Sequence, residues 1–430
     1  MQSLIASSLS LVDNLMVGSL GEIELASVGI ATQIYFIHWM IMFGFTSGAS
    51  TFMAQFWGTK DINNIKKTTG FAICACLLLS SMFFLVAMFA PNWVMGVFTD
   101  IPKLIELGSG YVRMAALTFL TISITVPFTA ALRTTQQTQI PLYISIFVFS
   151  TNTILNYIFI FGKFGAPQMG VVGAALATLI ARCLELCLIL FVVFARKNIV
   201  AGRFSDYFGW QKELISRIIK NAIPTTANEA LWGVGTAMYV AAYARVGVTE
   251  YAAVQASNTI NNLFTMAAFS LGDAALILVG EKLGEGRLDF AYALAKKISK
   301  ISIGIGAVFG IGLILAAKPI ISLFDLTPEG KTYAFYILIV YAVFMWLVVH
   351  NGVNITGILR AGGDTVFAML AEMGSIWLYA VPMAFTAALV LHVPIYIAVL
   401  LVKMEDLIKF VILIKRFISR KWLNNMVHDI

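Results

Sequence analysis

A chain of 430 residues that is 60% hydrophobic and only 12% charged is not an ordinary water-soluble domain, in which about a quarter of the residues carry charge. At about 20 apolar residues per crossing, a mean hydropathy of +0.87 allows on the order of a dozen membrane spans and leaves no room for a large soluble domain. The formal charge of +7 does not indicate nucleic acid, because the basic residues punctuate apolar runs instead of forming a patch.

Apolar runs between charged or Pro/Gly-rich breaks predict twelve helices. The first, 1–18, carries Asp13 in SLSLVDNLMVG, and the second, 28–56, holds His38 and Trp39. The third, 68–90, includes Cys74 and Cys76, and the fourth, 110–131, includes Pro127. In the fifth, 140–161, Asn152 and Asn156 lie four apart and share one face. The sixth, 170–195, contributes Thr178, and its Arg182 and Glu185 are spaced to pair on one side of the helix. The polar interval from Arg196 to Lys212 then divides the helices into two sets of six.

The seventh helix, 216–245, carries Pro224, Glu229 and Trp232, and the eighth, 252–283, has Asp273 at its middle. The ninth spans 298–317, and the tenth, 333–358, includes Trp346 and His350. Glu372, Trp377 and Pro382 lie in the eleventh, 366–390; Glu405 and Lys409 can pair in the twelfth, 394–414. The predicted organisation is an N-terminal lobe, 1–195, a cytoplasmic linker, 196–215, a C-terminal lobe, 216–414, and a cytoplasmic tail, 415–430.

With the N-terminus inside, twenty Lys and Arg fall in inner loops and six in outer loops, which predicts cytoplasmic termini and explains the net charge. Sliding the second half over the first by 226 aligns Gly21 with Gly247, Glu24 with Glu250, Gly58 with Gly284 and Phe98 with Phe324; at 227, Leu132-Arg133 meets Leu359-Arg360. Each half has an even number of helices, so this repeat is parallel, about an axis along the membrane normal. Its register places the counterparts of Ile223-Pro224 before Met1, so the first helix is expected to lack its beginning. A basic n-region and a small-residue cleavage site, the marks of a signal peptide, are missing there.

A charge near the bilayer centre costs about 2.5–3.5 kcal/mol on insertion scales, so each one needs a reason. Asp13, Glu229, Asp273 and Glu372 have no basic residue three or four positions away. Such carboxylates either bind an ion or proton, or stay neutral and hydrogen-bonded; Asp273, beside Gly272, also fits helix packing. The oxygens of Asn152, Asn156 and Thr178 can coordinate a cation, or the groups can serve as interhelical glue. His38 and His350 are candidate proton relays or plain hydrogen-bonded histidines, and Trp39, Trp232, Trp346 and Trp377 are candidate linings for flat or cationic ligands as well as packing surface. The four cysteines have neither zinc nor disulfide spacing, and no Walker A loop, HExxH or GxSxG is present. No catalytic set is legible, so any uphill transport would draw on an ion gradient.

VDNLMVGSLGEIELASVGIA, the passage YIFIFGKFGAPQMGVVGAALA from Tyr157 to Ala177, and GILRAGGDT together resemble the multidrug and toxic compound extrusion family of cation-coupled antiporters. The resemblance implies an all-α polytopic fold, with twelve helices in two pseudo-twofold-related lobes around a central cavity. It implies exchange of Na+ or H+ for organic cations and other amphipathic drugs, without a cofactor, by a monomer in the inner membrane. Asp13, Asn152, Asn156 and Thr178 are similar in placement to the family's N-lobe cation site, and Glu229 to a helix-seven glutamate of the sodium-coupled branch. Some members carry a second carboxylate where Asn156 stands, and that branch has a helix-ten aspartate where this chain offers only His350, Asn351 and Asn354; Glu372 is the candidate substitute. The competing reading is a lipid-linked saccharide flippase, which predicts a strongly basic cavity, whereas the intramembrane cations expected here are only Arg182, Lys403 and Lys409.

Overall fold

The structure, a computed structural model, describes residues 13, 16–322, 324 and 326–428. Those residues form helices and no strand. Most of the predicted first helix, and with it the question of its missing beginning, lies outside the described residues.

The others appear in order as α1 (Glu22–Gly58), α2 (Ile62–Phe89), α3 (Pro102–Thr134), α4 (Gln139–Phe161), α5 (Gly170–Leu190), α6 (Lys212–Tyr243), α7 (Val248–Gly284), α8 (Leu288–Ile321) and α9 (Pro328–Gly352). The eleventh predicted span begins with α10 (Thr365–Ser375), and the twelfth is split at Met404 into α11 (Ile395–Lys403) and α12 (Glu405–Ile418). Several helices overrun the apolar stretches that predicted them, because capping and not hydropathy sets their ends. Asp61 caps α2 by accepting from Asn64 N at 2.9 Å, and Pro102 and Pro328 start α3 and α9 where a missing N–H costs nothing. Gly162, at φ 65°, closes α4 in the left-handed region.

Among the described residues, eight helices are long and apolar enough to cross a membrane by themselves, matching the second to sixth and ninth to eleventh predictions. The seventh is too polar to qualify on hydropathy alone, and the twelfth is interrupted at Met404. The tenth and eleventh spans slip into π-helical turns at Val353–Leu359, Ile376–Ala380 and Thr386–Val390. Such widened turns free backbone groups and occur often near functional sites.

The chain divides into two compact units, 1–53 with 61–216, and 54–60 with 217–430. In the first, α3 packs against α2 and α5, and its core includes small side chains such as Ala115, Ala116, Ala174 and Ala175. The interval after α5 folds onto this unit and is not a loose tether. Tyr207 donates to Val200 O at 2.7 Å, its ring meets Phe128 and Phe194 edge-on, and Gly70 leaves room for its backbone. Burial pushes the Tyr207 phenol up to about 12.

In the second unit, α8 lies against α9 across Gly306 and Gly310, a GxxxG pair that faces the Trp346 Cα and the Ala342 carbonyl. Residues 54–60, the last turn of α1 together with Thr59 and Lys60, belong here. Gly58 abuts the Glu281 carbonyl and its repeat partner Gly284 abuts the Gln55 carbonyl, so neither position has space for a Cβ. The C-terminal segment is also fixed: Trp422 is fully buried, and Gln55 donates to Ala361 O at 2.7 Å while accepting from Met426 N at 2.6 Å.

Candidate functional site

In the first unit the residues named from sequence converge. Asn156 Nδ2 donates to Asp13 Oδ1 at 2.5 Å and lies 3.1 Å from Asn152 Oδ1, while Asn152 Nδ2 reaches Thr178 Oγ1 at 3.5 Å. One turn of α4 therefore presents both amides to the first helix and to α5 at once. Asn152 and Asn156 are buried, and the Asn156 carbonyl oxygen has no hydrogen-bond partner among the described residues. A buried acceptor without a donor beside a carboxylate is what a cation or proton would satisfy.

Arg182 on α5 forms the predicted pair with Glu185, at 2.7 Å, and its charge also acts on Asp13. Spacing along one helix suffices to find that pair, but not its reach to Asp13, which depends on how the first helix and α5 approach. His38 is buried apart from this cluster, with Nε2 2.8 Å from Ser80 Oγ and the ring packed on Phe119. A depression of about 600 Å³, lined by Asn92, Pro102, Glu106 and Arg113 among others, contains none of the candidate residues.

The second unit corrects the sequence reading of its carboxylates. Glu229 has no basic neighbour along its own helix, yet Arg360 Nη2 donates to its Oε1 at 2.5 Å from 131 residues away. Arg360, counted among the inner-side cations, is 1% exposed, at the end of the π-helical stretch that prolongs α9. Glu372 accepts from Asn228 Nδ2 at 2.8 Å, and the neighbouring Thr365 donates to Asn221 at 3.0 Å. On α12, Glu405 accepts from Tyr239 Oη at 3.0 Å and lies 3.4 Å from Lys409 Nζ, with Asp406 also close to that ammonium at 3.8 Å.

Asp273 is partly buried next to Gly272, whose backbone meets Gly357 and whose Cα faces Thr356. His350 is buried against Phe410 and Asn354, with Ser299 and Ser302 hydroxyls at 3.4 Å. Trp232 and Trp377 meet around Met373, Ile376 and Val381. Trp346 packs edge-on against Phe410, and Trp39 is 40% exposed in the first unit. Arg360, Asn228 and Tyr239 escaped the sequence reading because their significance comes only from partners on distant helices.

A family model described as MatE matches residues 1–158 and 224–386. Among curated proteins, a probable multidrug resistance protein NorM of Thermotoga maritima is 23% identical over 380 residues, covering 87% of this chain and 80% of that protein. The multidrug resistance protein NorM of Vibrio cholerae is 29% identical over 291 residues, 66% of this chain and 62% of that one. A solved mutant of the Vibrio cholerae MATE transporter VcmN superimposes with a TM-score of 0.88 at 16% identity, covering 98% of this chain and 95% of that chain. A MOP superfamily transporter from Pyrococcus furiosus gives 0.88 at 18% identity, with 98% and 94% covered. With the family match covering well over half of its length and the fold of a MATE transporter, the chain belongs to the MatE family of multi-pass membrane transporters and is not an enzyme.

Proposed function

We propose that the protein is a secondary antiporter that exports amphipathic or cationic drugs in exchange for Na+ or H+, by alternating access, as a monomer in the inner membrane with both termini cytoplasmic. Multidrug efflux is supported by its relatives, which do not favour the flippase alternative. The observation that carries the coupling assignment is the Asp13–Asn156 hydrogen bond with the Asn156 carbonyl left open. Asp13 is the ion-binding carboxylate, and Asn152, Asn156 and Thr178 complete its oxygen shell. Ion entry withdraws Asp13 from the Asn156 amide, shifts the packing of the first helix against α4, and so favours release of the drug. Glu229, held by Arg360, has a supporting role in the second unit.

The test is dye uptake into everted vesicles under an imposed Na+ or proton gradient. Asp13→Asn should reduce gradient-driven uptake at least tenfold, and Asn156→Ala should weaken it less. Wild-type rates in Asp13→Asn, or no response to either gradient, would overturn the assignment.

A further inference from the structure

The repeat reaches further than the loop motifs that reveal it. At the offset of 226 Asp13 corresponds to Tyr239, and at 227 Pro167 meets Pro394, Thr178 meets Glu405 and Arg182 meets Lys409. The first unit thus has an acid on its first helix, a hydroxyl on its last, and a cation one turn further on. In the second unit the hydroxyl and the acid have changed places: Tyr239 Oη donates to Glu405 at 3.0 Å, and Lys409 stands 3.4 Å from the same carboxylate.

We propose that Glu405, Asp406, Lys409 and Glu372, with Tyr239 and Asn228, form a second proton-exchange centre in the C-terminal unit, the repeat counterpart of the Asp13 cluster with its acid transposed to the last helix. Charge balance supports it. Glu405, Asp406 and Lys409 are 4%, 4% and 5% exposed, and the partly buried Glu372 feels the Lys409 charge as well. Lys403 lies 3.5 Å from Asp406, so three carboxylates face two ammonium groups; Glu229 and Arg360 form a neutral pair beside them. Tyr243 borders Glu405, and Tyr341 lies under Lys403; neither phenol supplies a compensating positive charge.

One surplus negative charge in a low-dielectric interior requires one monovalent cation. The ammonium of Lys409 already occupies the place between the carboxylates, so the cation that fits is a proton. The structure also has a place for it. Asn228, 3% exposed, donates to Glu372 through Nδ2 and keeps a buried Oδ1 with no partner among the described residues. A protonated Glu372 would donate from its second oxygen to that carbonyl, closing a cyclic acid–amide pair.

The centre rests on the antiport reading for its purpose but not for its test. Purified full-length protein in nanodiscs, carrying Asp13→Asn to silence the first unit, is titrated while the carboxylic-acid C=O band is followed by infrared difference spectroscopy. The background is expected to show one titrating intramembrane carboxyl. Glu405→Gln, Asp406→Asn and Glu372→Gln should each abolish it by removing the surplus charge, Lys409→Gln should increase the band about twofold, and the pair Lys409→Gln with Glu405→Gln should restore a single band. Tyr239→Phe, which keeps the side-chain volume, should move the midpoint by about one pH unit. Equal bands in the background, Glu405→Gln and Lys409→Gln proteins would overturn the proposal. Failure of dye exchange alone would instead count against the antiport reading.

Discussion

Glu229 and Arg360 show how a single buried pair constrains its neighbours. The side chain of Arg360 is 1% exposed and that of Glu229 11%, so removing either partner leaves a charge with little water to solvate it. Truncating one member of a buried pair costs about 3–5 kcal/mol, whereas replacing both can be close to neutral. Arg360→Met is therefore expected to lower thermal stability in detergent strongly, and Arg360→Met with Glu229→Gln should recover most of the loss. An additive double variant would mean that the pair does not act as a unit.

At the same scale, the Asp13 cluster was legible because its parts are local: two asparagines one turn apart, and an aspartate that is costly in an apolar helix. The second unit was not. Glu229 looked unpaired because a single sequence reports neighbours three or four residues away and nothing about the helix beyond.

At the scale of elements, helix existence followed from apolar runs, while helix ends and irregularities did not. Hydropathy has no signal for the π-helical turns at Val353–Leu359 or Ile376–Ala380, since these depend on packing against other helices. The close approach of residues 54–58 to α7 is also invisible in a linear pattern: the repeat aligns Gly58 with Gly284 but does not say that the two segments touch. Gly284→Val would drive a side chain into the Gln55 carbonyl, which is backbone and cannot step aside. The expected cost is about 1–3 kcal/mol, the ordinary range for overpacking. Gly286→Val, in open space but at φ 73°, separates backbone strain from this clash. Comparing the thermal stability of the two variants with wild type tests whether packing at the end of α7 limits the unit.

Beyond that helix end, Lys282 donates to Glu285 at 2.6 Å, and this hydrogen bond holds the Glu285 carboxyl below its usual value. A depressed folded pKa makes the pair's contribution fully present above the unfolded value of about 4.3 and lost as pH falls through the folded one. The pair lies at the surface, so the difference in stability between wild type and Glu285→Gln should be about 0.5 kcal/mol at pH 7 and vanish in acid. A difference that grows on acidification would assign the shift the wrong sign.

For the molecule as a whole, two sequence-level regularities need the same membrane orientation. The parallel repeat requires both six-helix sets to enter from one face, and the loop charges choose which face. On that orientation the interval around Tyr207 and the segment around Trp422, each tied to its own unit, are expected on the cytoplasmic side. Cysteine accessibility tests this directly. Cys183 and Cys187 are exposed, so all four native cysteines are first replaced by serine. Lys163→Cys and Lys331→Cys should then react with a membrane-impermeant maleimide on intact cells. Lys66→Cys and Arg203→Cys should react only after permeabilisation. If Lys163→Cys were protected and Lys66→Cys labelled from outside, the orientation would be inverted. If the two positions of either pair behaved differently from each other, the helix count between them would be wrong, and the repeat would have to be realigned.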